Sequence, residues 1–143
     1  MVIDIENRWN VLIAHGSQNP WATDLAGFLA DRPVDLHWPR SETEAICVVS
    51  ERPVHLAVVD DRMPSIGGLA LLRRIRRLGL AMPALLVSPR PDPRILREAL
   101  ELDVFSVVDE GTAQASLLPQ VLKVFQRFYH VDWPPVAGTE NRN

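Results

Sequence analysis

The stretch "VVDDRMPSIGG", residues 58–68, sets Asp60 and Asp61 side by side at the end of an apolar run, with Pro64 and a glycine pair after them. Carboxylates at the solvent end of a buried strand lie where open α/β sheets bind their ligands, beyond the carboxyl ends of the strands. Neighbouring strand residues point to opposite faces, so one of the two aspartates faces the crevice and the other faces away. Other polar groups fall at similar places: His15 with Gly16 after "NVLIA", Ser88 after "PALLV", and Asp109 after "FSVV". His15 could ligate a metal or titrate near neutral pH, and its plainer reading is a polar strand end bonded to the next loop. "HGS" suggests a nucleophilic Ser17, yet no second histidine is placed to activate it, and the glycine-serine-glycine elbow is absent.

The elements that must carry these groups alternate along the chain. Five short apolar runs read as strands, at 10–15, 34–38, 54–60, 83–88 and 103–109. The last three are nearly continuous hydrophobic stretches, as expected of parallel strands covered on both faces. Between them the spacing predicts helices over 20–31, 41–51, 67–78 and 92–102, with a fifth near 115–130. Ser41 with Glu44 makes a capping-box pattern, and Asp92 followed by Pro93 makes a helix start. Pro119 fits the last helix only if that helix begins just before it, with Ser116 as its cap. Five β-then-α units predict a doubly wound α/β domain with a parallel sheet.

Composition narrows the function. The 143 residues suit one domain with a real core, and a net charge of −3 leaves no whole-chain footprint for nucleic acid or anionic membrane. One cysteine, Cys47, forbids an intramolecular disulfide and suits a reducing cytosol. It lies with Ile46 and Val49 on an apolar helical face, which predicts a small core residue. The N-terminus "MVIDIENRWN" carries acids early and does not read as a signal peptide, and no apolar run approaches the roughly 18 residues of a membrane span. The expectation is a cytoplasmic domain over residues 1–131, with 132–143 a linker or loose tail.

Residues 54–88, "VHLAVVDDRMPSIGGLALLRRIRRLGLAMPALLVS", resemble the response-regulator receiver domain of bacterial two-component signalling. The likeness rests on Asp60, Met63, Pro64 and Gly68 and extends over roughly 9–130. It implies a flavodoxin-like (βα)5 fold with strand order 2-1-3-4-5, and a signalling module that is not an enzyme. It also implies site roles: Asp60 as phosphoacceptor from a histidine kinase, Ser88 as the hydroxyl that follows the phosphoryl group, and Phe105 as the switching aromatic.

The departures from the family pattern matter as much. His15 and Gly16 stand where receivers carry the acidic pair that holds Mg²⁺ with the phosphoacceptor, and Val108 stands in the lysine slot. Lys123 is the chain's one lysine and belongs to the last helix. Phosphoryl transfer depends on positioning and on neutralising charge, and imidazole is a poor ligand for Mg²⁺. These residues predict an atypical, degenerate receiver with weak Mg²⁺ binding, no resident cofactor or metal, and impaired phosphorylation of Asp60. The alternatives are a working receiver phosphorylated on Asp60 and a small flavodoxin-like cofactor binder. The second is weakened because "HGSQNP" is no glycine-rich phosphate loop.

Two further runs bear on partners. In "LLRRIRRL" (71–78) the four arginines occupy the wet side of an amphipathic helix, a solvated or protein-docking face and not a DNA contact. Pro89, Pro91 and Pro93 stiffen the loop that receivers leave mobile, consistent with a frozen switch. The expected partners are proteins: a histidine kinase, an output domain or effector, and a second copy through the face of the fourth helix, fifth strand and fifth helix. Val124, Val131 and Trp133 are expected to supply surplus apolar surface there.

Overall fold

The computed structural model describes residues 8–15, 19–62 and 67–134. The strands are β1 (Trp9–Ala14), β2 (Val34–His37), β3 (Leu56–Asp60), β4 (Ala84–Ser88) and β5 (Ser106–Asp109). The helices are α1 (Pro20–Leu29), α2 (Glu42–Glu51), α3 (Gly68–Arg77), α4 (Pro93–Glu101) and α5 (Ala113–Tyr129). All strand pairs are parallel and the sheet runs β2-β1-β3-β4-β5, the doubly wound order expected.

Every residue of β3 and β4 is buried, because helices cover both faces of the central strands. On one face Val11, Ile13, Leu56, Val58, Leu85, Val87 and Val108 meet α1 and α5; on the other Leu12, Ala57, Val59 and Leu86 meet α2, α3 and α4. The caps of α2 and α4 are those the sequence implied: Ser41 Oγ accepts from Glu44 N at 3.1 Å, and Asp92 Oδ1 accepts from Ile95 N at 2.9 Å.

Four local expectations are corrected. Helix α5 starts at Ala113, directly after a single 3-10 turn over Glu110–Thr112, so Pro119 lies within it. Ser116 does not cap it: its hydroxyl donates back to Thr112 O at 2.9 Å. Cys47 is exposed, since the buried positions of α2 are Ala45 and Val49, one turn apart, and residue 47 points away from them. Arg76 is not solvated but half-buried, tying α3 to the following loops through Leu102 O (2.9 Å), Leu80 O (3.1 Å) and Met82 O (2.8 Å). Val124 is fully buried, while Val131 and Trp133 pack on the core, Trp133 placing its ring 4.5 Å from that of Phe125. Packing therefore continues past residue 131.

Candidate functional site

The carboxyl ends of β3, β4 and β5 share one edge of the sheet. Asp60 closes β3 there at 1 % exposure, in register with Val87 of β4, which in turn pairs with Val108 of β5. By alternation from Leu56 and Val58 it faces the α1–α5 side. Its Oδ2 accepts from Asn19 Nδ2 at 3.0 Å, and its Oδ1 accepts from Arg62 N at 2.8 Å. Asn19 is delivered by the start of α1, where Pro20 fixes the first turn and Asn19 O accepts from Ala22 N and Thr23 N.

Gly68 explains the glycine after the aspartates. A Cβ there would sit 2.8 Å from Asp60 O and 3.0 Å from a Leu86 methyl, so α3 can begin against the end of β3 only without a side chain. Gly67, before it, has φ +85°, a left-handed conformation that favours glycine.

Asp61 diverges from Asp60 as alternation requires. Its N–H extends the ladder to Val87 O, and its carboxylate accepts from the Leu69 N–H near Arg94 and Glu98. Burial raises its pKa above the usual carboxylate value and the Asp60 charge adds to that, while the Leu69 bond and Arg94 pull the other way.

The remaining expected residues fall in different places. Ser88 reaches the same edge, fully buried, with Oγ accepting from Arg90 N at 3.2 Å. Val108 lies level with Asp60 and is buried in the core, so it offers the crevice only a hydrocarbon surface. Phe105 is at the opposite end of the sheet: its N–H donates to Ala84 O, and its ring lies 5.8 Å from that of Phe128. On the face that Ser88 shares, the nearer β5 side chain is Val107. His15 follows β1 with its ring edge-on to Trp38 (5.5 Å) and Trp21 (6.1 Å). A pocket of about 430 Å³ opens between His15, Asn19, Thr23 and Trp38. Gly16, Ser17, Met63 and Pro64 lie outside the described residues.

Three site residues escaped the sequence reading. Asn19 was hidden in a loop, although Asn before Pro at a helix start is a signal of a fixed position. The other two are Arg62 and Glu110, whose guanidinium and carboxylate form an ion pair between the loop after β3 and the end of β5. Glu110 Oε1 is buried and accepts no hydrogen bond. Among the described residues no three His, Cys, Asp or Glu come together as metal ligands.

The sequence profile of the response regulator receiver domain matches residues 20–125. This chain belongs to the response regulator receiver family. Among solved structures, the receiver resembles the signal receiver domain of an HD domain-containing protein from Pseudomonas fluorescens Pf-5, at 21% identity and TM-score 0.73 over 87% of this chain and 100% of that one. It is similar also to the non-phosphorylated HemR receiver domain from Leptospira biflexa, at 16% identity and TM-score 0.73 over 90% and 100% of the two chains. A third is the receiver domain of a signal transduction histidine kinase from Syntrophus aciditrophicus, at 22% identity and TM-score 0.68 over 90% and 98%. No curated protein sequence matches the chain. Receivers are signalling modules, and no helix among the described residues is long and apolar enough to cross a membrane.

Proposed function

We propose that this receiver is a cytoplasmic interaction module whose output is carried by protein contacts, and that Asp60 is a phosphoacceptor position with impaired chemistry. The observation that carries the reading is the surroundings of Asp60. Both its oxygens already accept from N–H donors, Asn19 and Arg62, and the neighbouring strand ends contribute His15 and Val108 in place of further acids and a cation. Mg²⁺ prefers an octahedron of oxygens built on one or two carboxylates. The described donor set does not fit that requirement, so Mg²⁺ binding is weak and no step runs through it.

The contacts that replace the chemistry lie on α4 and α5. Leu100 is 76 % exposed, and Leu96 and Phe128 are also open to solvent, as are Leu78 and Trp38 elsewhere on the surface. Such a patch suits a second copy or an effector domain. Pro89 and Pro91 in the β4–α4 loop and Pro93 at the first position of α4, with Ser88 Oγ held by Arg90 N, favour a switch fixed in one state.

The test is intact-mass measurement of the chain treated with acetyl phosphate and Mg²⁺, alongside Asp60→Asn. The expected result is little or no adduct and an oligomeric state that Asp60→Asn leaves unchanged and Leu100→Asp disrupts. Stoichiometric, long-lived phosphorylation abolished by Asp60→Asn overturns the reading in favour of a working receiver.

A further inference from the structure

The crevice is poor in cations, yet one stands beside Asp60. Arg62 is anchored there by its own backbone, whose N–H binds Asp60 Oδ1 at 2.8 Å, while its side chain is more than half exposed and free to turn. In the structure that side chain is engaged by Glu110, which follows directly on β5 and lies two residues past Val108, the residue level with Asp60. Glu110 opens the 3-10 turn that follows β5, and its ion pair with Arg62 ties the end of β5 to the loop that follows Asp60. Its carboxylate is mostly shielded and its Oε1 has no hydrogen-bond partner, so among the described residues Arg62 is its counter-charge.

We propose that Arg62 is the cation that receives a phosphoryl group on Asp60, and that Glu110 competes with that group for it. The inference rests on the reading of Asp60 as the phosphoacceptor position. Transfer from acetyl phosphate forms a bond between an Asp60 carboxylate oxygen and phosphorus. The bond from phosphorus to the acetyl oxygen breaks, and acetate leaves with the electron pair. The charge at position 60 goes from one negative to two, and the oxygens that carry it lie within reach of a side chain anchored one turn away. The guanidinium offers paired donors matched to phosphoryl oxygens. To reach them it must leave Glu110, whose carboxylate then stays shielded without its cation. Glu110 thus opposes phosphorylation, and the impaired chemistry has a removable component.

The experiment compares the wild-type chain with Glu110→Gln, Arg62→Gln, the double variant and Asp60→Asn. Each is treated with acetyl phosphate in Mg²⁺ buffer and followed by intact mass, with circular dichroism confirming the fold. Glu110→Gln is expected to raise the Asp60-dependent adduct about two- to fivefold, the range that release of a largely exposed ion pair supports. The double variant is expected to fall back to the wild-type level or below. No gain in Glu110→Gln, or a gain that persists in the double variant, overturns the proposal. The wild-type baseline judges the impaired-receiver reading separately: a fast, complete wild-type reaction defeats that reading, while the difference between the single and double variants still decides the role of Arg62.

Discussion

Asn19 donates its side-chain amide to Asp60 Oδ2 across 3.0 Å, joining the start of α1 to the end of β3 inside the crevice. A neutral amide here gives the buried carboxylate a hydrogen-bond donor without adding a charge. An acid at position 19 would place two carboxylates about as far apart as the present bond, a repulsion relieved by a divalent ion. Asn19→Asp is therefore expected to lower stability by about 1–3 kcal/mol in chelator, and Mg²⁺ is expected to restore most of the loss. The wild-type melting temperature should not respond to Mg²⁺. Thermal denaturation with and without the ion decides it, and a variant indifferent to Mg²⁺ would show that position 19 does not address the crevice.

Gly68→Ala probes the close approach that brings α3 against Asp60. The added methyl meets the Asp60 backbone carbonyl at 2.8 Å, which no rotamer change relieves. A loss of about 1–3 kcal/mol is expected, the usual cost of overpacking, with movement in the backbone resonances of Asp60 and Asp61. Gly27→Ala is the control, because a Cβ there meets nothing within 4 Å. Urea denaturation of the two variants gives the comparison.

The layout was legible because it rests on periodicity: runs such as "LAVVD" and "ALLVS" can only be central strands, and Leu69, Leu72 and Ile75 mark the inner face of α3. The Asp60–Asp61 divergence also followed from alternation alone. Where the reading fell short, the cause was spatial and not local. Arg76 carries the same charge as its solvated neighbours, and only the fold shows four carbonyls converging on it. Arg62 and Glu110 are 48 positions apart, so no local pattern links them. Phe105 comes just before β5, and only the fold shows its ring 5.8 Å from that of Phe128 on α5.

Tyr129 is the chain's only tyrosine, so its phenol can be titrated by absorbance with no overlap. Its hydroxyl donates to His55 O at 2.6 Å, and burial pushes its pKa up to about 12 from an ordinary 10.0. The folded protein should show a phenolate midpoint near 12, and the urea-unfolded chain one near the ordinary value. Because the folded pKa is the higher, this contribution to stability is complete below pH 10 and fades as pH climbs from there toward 12. A folded-state midpoint at the ordinary value would mean that the hydroxyl is open to water.

His55 gives the opposite sign on the acid side. Its Nδ1 accepts the Asn10 N–H at 2.9 Å, which requires that nitrogen to be unprotonated, and its ring lies 4.9 Å from Trp9 and 5.4 Å from Tyr129. Burial lowers its pKa below the ordinary 6.5. His37, bonded to Asn10 Oδ1 at 3.0 Å, is lowered as well, by burial first and then by Arg52, with Asp35 opposing. A histidine whose folded pKa lies below its unfolded one binds its proton more readily after unfolding, so its contribution is present above 6.5 and is lost as pH falls through the lower folded value. Unfolding free energy measured in urea should accordingly drop between pH 7 and pH 5. His55→Asn, which keeps an acceptor for Asn10 N and removes the titration, should be less stable at pH 7 but flatter across that interval. An equally steep decline in the variant would shift the acid sensitivity from His55 to His37 or the carboxylates.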